Sequence, residues 1–141
     1  MKQAHGTGFE HYWFQKLEYI LWRERRACTW MESDKLNHYR VTSKNSVEHV
    51  HPQNEEFDRS LADDLLHGFG NLVLLSPGEN SSYSNQAVLK KQAAFLAKPK
   101  HDSVKLAHMF HVLGNGKQWG KSQIDAHCET MLALIEAHYR V

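Results

Sequence analysis

VEHVHPQ, residues 47–53, decides how this chain is read. Val47 and Val50 bracket a carboxylate and an imidazole, Glu48 and His49; a second imidazole, His51, follows, and the run stops at Pro52. β-Branched residues ended by a proline, which has no N–H for a sheet ladder, predict a short strand over residues 45–50. Consecutive strand side chains point to opposite faces, so Glu48 and His49 cannot both enter one core. Either one of them is exposed, or both border something that is not core. His51 alternates with His49 and falls on the same face of a regular strand.

Outward from this strand, GNLVLLS (residues 70–76) is a compact apolar run bounded by Gly70 and by Pro77-Gly78, and reads as a second strand. Between the two, Phe57, Leu61 and Leu65 mark one or two helical turns closed by Gly68. PGENSSYSN (77–85) is dense in turn and cap residues, and a helix follows. Leu89, Ala93 and Leu96 lie on one side of that helix, Lys90, Lys91 and Lys98 elsewhere, and Pro99 ends it. Residues 9–26 predict an amphipathic helix with a stripe of Phe9, Trp13, Leu17, Ile20 and Leu21, while 29–44 read as loop. Residues 103–113 predict a short helix with Leu106, Phe110 and Leu113 in period and Gly114 as its stop. Ser122 is expected to cap a last helix carrying Ile124, Cys128, Met131, Leu132, Ile135 and Tyr139. Two strands alone are marginal and need helices to pack on, so the class is α+β.

Composition narrows the setting. The 141 residues make one ordinary domain, and 41% hydrophobic residues suffice for a core. A net charge of +1 neither announces a nucleic-acid binder nor excludes one, because a local basic patch is what counts. Cys28 and Cys128 form no CxxC pair, so a four-thiolate zinc site is out, and such sparse usage fits a reducing cytoplasm. No apolar run approaches the ~20 residues of a membrane span, and the start, MKQAHGTGFEHYW, lacks a signal peptide's apolar stretch. A cytoplasmic domain with no membrane partner is expected. MKQAHGTG also fits a linker from a longer protein.

If the two strands pair and the following helix packs across them, Glu48, His49, Asn71, Asn80, Ser84 and Asn85 converge. A helix N-terminus offers backbone N–H groups to a phosphate, and Ser84 and Asn85 leave them accessible. A carboxylate and an amide oxygen are hard ligands suited to Mg²⁺ or Mn²⁺. A neutral histidine beside such a metal can take a proton from an attacking water. Each residue also has a plainer reading. Glu48 could be a solvated strand residue, His49 a core histidine bonded to a carbonyl, Asn71 a turn residue and Asn80 a helix cap.

The ordered set EHVHPQ (48–53), GNLVLL (70–75) and Asn80 resembles the HNH nucleases with a ββα-metal core, and more narrowly the C-terminal nuclease domain of GmrSD-type restriction enzymes, bacterial anti-phage proteins that cleave modified DNA. The resemblance implies a single HNH domain over 1–141: core motif 45–98, N-terminal helix 9–26, C-terminal helices 103–139. It implies a catalytic set of His49, Asn71 and Asn80, with His49 the general base and Asn71 bracing the loop between the strands through backbone hydrogen bonds. Glu48 and Asn80 are the implied metal ligands, Glu48 standing where many HNH proteins have Asp or His. Ser84 falls where some members carry the final His, which leaves fewer protein ligands and favours Mg²⁺ or Mn²⁺ with waters over Zn²⁺. DNA is the implied substrate, and a ParB-like nucleotide-hydrolysing domain or subunit outside this chain the implied partner. Around that site, His51, Gln53, Ser84, Asn85, Lys44 and Lys90 are candidate substrate contacts, Lys44, Lys90 and Lys91 through DNA phosphates. The lysines equally fit a solvated face. Two other readings keep the same core: a catalytically inactive domain that binds nucleic acid or a partner protein, and an RNase or toxin. The lack of an aromatic-rich single-strand platform near the motif disfavours the second.

Overall fold

The structure, a computed structural model, describes residues 11–24, 46–51, 62–76, 87–98, 102–116 and 118–139. In chain order these form α1 (His11–Arg23), β1 (Ser46–His49), α2 (Asp63–Leu66), a 3-10 turn (Phe69–Asn71), β2 (Leu72–Leu75), α3 (Val88–Ala97), α4 (Val104–Leu113) and α5 (Lys121–Tyr139). The architecture is α+β. β1 and β2 pair antiparallel, with Val47 opposite Leu74, Glu48 opposite Val73 and His49 opposite Leu72. Residues 70 and 71 fall in the tight turn rather than in the second strand.

Opposed residues of an antiparallel pair share a face, so the register splits the sheet's side chains between two cores. Leu72 and Leu74 pack with Phe14, Leu17, Ile20 and Leu21 of α1 and with Met131 and Ile135 of α5. Val73 and Leu75 pack with Phe95 of α3, Met109 and Phe110 of α4, and Trp119. Every residue of β2 is thus buried, as its unbroken apolar run requires. Glu48 lies on the α3 face and His49 on the opposite face, so the strand's alternation separates them.

α4 is the central helix, buried from Val104 through Phe110. Its N-terminus receives a carboxylate from α1: Glu18 Oε1 accepts the Val104 N–H at 2.7 Å, and Oε2 accepts the Lys105 N–H and the Ser103 hydroxyl, each at 2.8 Å. A buried anion is stable there because the helix dipole and the orphan N–H groups both meet it. Lys105 is also buried, and its Nζ donates to the carbonyls of Phe69 and Leu72 and lies 4.6 Å from the Phe69 ring centroid. Burial lowers its pKa to about 7, against the raising effect of Cys128 and Glu18.

Two expectations are corrected. The inward face of α3 is not Leu89, Ala93 and Leu96, of which Leu89 is 45% and Leu96 53% exposed; Lys91 and Phe95 are buried instead. Phe95 packs on Phe110, with ring centroids 5.2 Å apart, and Lys91 finds anionic and carbonyl partners under the helix. Ser122 does not cap the last helix, which begins at Lys121. Gln123 Oε1 instead accepts the Gly120 N–H at 3.1 Å, the reach-back half of a capping box. Gly114 closes α4 with φ 54, a backbone favouring glycine. Gly70 is required by close approach, since a Cβ there would sit 2.8 Å from Ile124 Cγ2 of α5. Among the described residues no helix is long and apolar enough to cross a membrane.

Candidate functional site

Asn71 is the hub. Its side chain is fully buried and makes four hydrogen bonds: Oδ1 accepts the His51 N–H at 2.8 Å and the Trp119 indole N–H at 3.1 Å, and Nδ2 donates to the carbonyls of His51 at 3.2 Å and Leu66 at 2.9 Å. Two acceptor sites and two protons are all an amide has, and the network fixes which atom is oxygen. The Asn71 carbonyl also accepts the Val50 N–H at 2.9 Å. One residue therefore carries the sheet's hydrogen bonding past the end of β1 and ties α2, the tight turn and Trp119 to it.

Lys91 holds the same strand end from the other side. Its Nζ donates to Glu48 Oε1 at 3.0 Å, to the His49 carbonyl at 2.6 Å and to the Val50 carbonyl at 3.2 Å, with only 2% of the residue exposed. The ammonium's three protons match three acceptors, which is how a lysine can lie in a core. The reading of Lys91 as a solvated lysine or a DNA-phosphate contact is corrected accordingly. Lys90, its neighbour, is exposed. Burial raises the Glu48 pKa, and the Lys91 charge and hydrogen bond work against that rise.

His49 is 4% exposed, and its Nε2 lies 3.0 Å from Nδ1 of His67, the two rings meeting edge to face at 84°. Burial first, then His67 and Lys91, lower the His49 pKa to about 4, so the imidazole is neutral at pH 7. The side chain of His51 is also buried, at 7% exposure. Asn80, Ser84, Asn85, Gln53 and Lys44 lie outside the described residues; among the described ones Glu48 meets Lys91, His49 meets His67, and Asn71 meets His51 and Trp119. Sequence reasoning missed His67 and Trp119 and misread Lys91. The spacing of Val88, Lys91 and Phe95 on one helix face was a signal for Lys91, but nothing local marks His67 or Trp119.

Glu48 offers one hard oxygen donor, which suits a hydrated Mg²⁺ or Mn²⁺ better than a zinc ion closed by four protein ligands. Among the described residues, no three His, Cys, Asp or Glu side chains gather to hold a metal. A cleft of about 380 Å³ opens elsewhere, between α2, the tight turn and α5. Asp64, Asp125 and Glu129 line it, so it repels phosphate, and none of the expected site residues borders it.

The family model described as GmrSD restriction endonucleases, C-terminal domain, matches residues 2–134. No curated protein and no solved structure matches the chain.

Proposed function

The chain belongs to the GmrSD restriction endonuclease C-terminal domain family, and from that premise we propose that it is a metal-dependent DNA endonuclease of the HNH type. β1, β2 and α3 form the ββα-metal core of this reading, His49 is the general base, and Glu48 with Asn80 holds a divalent cation, Mg²⁺ or Mn²⁺. The observation that carries it is the end of β1: a carboxylate and a neutral imidazole on consecutive residues, with Lys91 and Asn71 fixing the backbone beneath them.

The chemistry follows from charge. A phosphodiester is anionic and repels hydroxide, so water must lose its proton as it attacks. A neutral His49 accepts that proton, and the approaching phosphate favours the imidazolium by opposite charge, lifting a pKa that burial holds down. The bound cation would neutralise the scissile phosphate and the leaving 3′ oxygen. Asn71 touches no reacting atom in this account; it keeps the strand end rigid. DNA is the substrate, the products carry a 5′ phosphate, and a ParB-like nucleotide-hydrolysing partner, cytoplasmic location and anti-phage role complete the reading.

The test is plasmid cleavage with Mg²⁺, Mn²⁺ or EDTA, with His49→Ala alongside. Metal-dependent cutting that His49→Ala abolishes in a folded protein supports the proposal, and a folded His49→Ala variant cutting at the wild-type rate refutes the base. One observation favours a second reading, a catalytically inactive domain that binds nucleic acid or a partner protein: Glu48 already has a cation in Lys91. A wild type that neither cuts nor binds metal would establish it.

A further inference from the structure

Phe14, Leu17 and Leu21 turn one side of α1 into the core. The opposite side carries Tyr12, Lys16, Tyr19 and Arg23, spaced i, i+4, i+7 and i+11, a single stripe at helical period. The described residues expose five large apolar side chains, and three of them are tyrosines gathered on this face: Tyr12 (54% exposed), Tyr19 (41%) and, from the end of α5, Tyr139 (53%). Scattered exposed aromatics call for no explanation, but a joined set does. The hydroxyls of Tyr12 and Tyr139 lie 3.1 Å apart, and Lys16 Nζ stands between two rings, 5.6 Å from the centroid of Tyr19 and 5.7 Å from that of Tyr139. These are cation–π contacts, and they join the amine to rings that still face solvent.

The stripe holds two cations and no carboxylate. Glu18, the acid within α1, is buried, its oxygens taken by the N-terminus of α4. The ion pairs among the described residues are Lys91–Glu48, Lys98–Asp102 and Lys121–Asp125, so neither Lys16 nor Arg23 is neutralised by one.

We propose that this face binds single-stranded DNA, with unpaired bases stacked on Tyr12, Tyr19 and Tyr139 and backbone phosphates held by Lys16 and Arg23. Every base has a π face that an exposed tyrosine can meet, whereas a duplex hides those faces in its own stack. The cations supply the attraction to the chain of phosphates that joins the bases. A protein partner fits less well, because lysine is depleted in protein interfaces and here an amine sits between the rings. The restriction endonuclease family selects DNA over RNA, and in that choice the inference rests on the nuclease reading. The surface itself uses neither Glu48, His49 nor a metal, and so gives the domain a hold on DNA through residues other than those assigned to cutting.

The experiment is fluorescence anisotropy of a labelled oligo(dT) with the full chain in EDTA, which removes metal-dependent cleavage from the readout. An oligo(rU) and a duplex of the same length are the comparisons. Oligo(dT) is expected to bind more tightly than either. Tyr19→Ala and Tyr139→Ala should each weaken it by about fivefold or more, while Tyr19→Phe, which keeps the ring, stays close to wild type. Lys16→Gln combined with Arg23→Gln should make the slope of log Kd against log salt shallower by about 1.4, since each phosphate contact contributes ~0.7. These side chains lie outside the core, and circular dichroism checks that each variant is folded. A wild type that binds no oligo(dT), alanine variants that bind it as wild type does, or tighter binding of oligo(rU) or duplex through the same tyrosines overturns the inference. So does a wild type that forms, in sedimentation, a dimer that Tyr19→Ala dissolves. Plasmid cleavage with metal decides the nuclease reading separately: a chain that holds oligo(dT) by its tyrosines and never cuts keeps this surface and loses that reading.

Discussion

Asn71 grips the backbone of His51 from both ends, its Oδ1 2.8 Å from the amide nitrogen and its Nδ2 3.2 Å from the carbonyl oxygen. Such a clamp substitutes for a strand partner where β1 has run out. Asn71→Ala would leave the His51 N–H and the Trp119 indole N–H buried without acceptors, and each such loss costs about 1–3 kcal/mol. The expected result is a destabilisation of roughly 3 kcal/mol or more in urea, with cleavage lost because the strand end moves. A variant as stable as wild type would show that water or a neighbour replaces the amide.

Lys91 and Glu48 are expected to be coupled. Lys91→Met keeps the bulk but strips the half-buried Glu48 and two carbonyls of their donor, and breaking one side of a buried pair costs on the order of 3 kcal/mol. Glu48→Gln retains an acceptor and should cost less. In the double variant the second change should cost less than it does alone, since the ion pair is already gone. Strict additivity in denaturant unfolding would mean the pair stabilises nothing.

The local parts of this architecture were legible in the sequence. The first strand followed from its β-branched residues and the proline that ends it, the second from an apolar run between breakers, and the helices around 104–113 and 121–139 from period and stop signals. Partners far apart in sequence were not. Period gives a helix a face but no direction: Leu89, Ala93 and Leu96 fit helical spacing as well as Val88, Lys91 and Phe95 do, and it is Phe110 and the acceptors at the end of β1, the Glu48 carboxylate 43 positions away among them, that make the lysine side the buried one. The clamp at Asn71 could be expected from the motif, whereas its Trp119 partner, 48 positions on, could not. His67 resembles a surface histidine until the fold sets it against His49.

Acid should unfold this protein through its buried histidines. His108 and His127 share a 2.7 Å contact between their Nδ1 atoms, with Nε2 of His127 buried and unpartnered. Burial first, then His111 and Lys105, lower the His108 pKa to about 4; burial, Lys105 and His108 lower that of His127 well below its ordinary value. Unfolded, both histidines titrate near ~6.5, so below that pH the unfolded chain binds more protons than the folded one. The stability they contribute is therefore complete above pH ~6.5 and falls as pH drops toward 4. Urea midpoints at pH 7.5, 6 and 5 should decline for wild type and decline less for His127→Phe. Parallel curves would show that other groups carry the acid sensitivity.

A divalent cation held by Glu48 should stabilise the folded chain without any cleavage being measured. A ligand at ten times its Kd adds about 1.4 kcal/mol, or about 5 °C in Tm for a chain of this size. Mn²⁺ should raise the Tm of wild type and of His49→Ala alike, and EDTA should reverse the rise. Glu48→Gln should show a much smaller rise, whatever its own baseline, because the amide keeps an oxygen donor but loses the carboxylate's negative charge. Lys91 sharpens the expectation, since its ammonium repels a cation arriving at the same carboxylate. If Lys91→Met folds, its Mn²⁺-induced rise should exceed that of wild type. A wild-type Tm indifferent to Mg²⁺ and Mn²⁺ would make Glu48 the structural counter-ion of Lys91, and the inactive-domain reading would take the place of the nuclease.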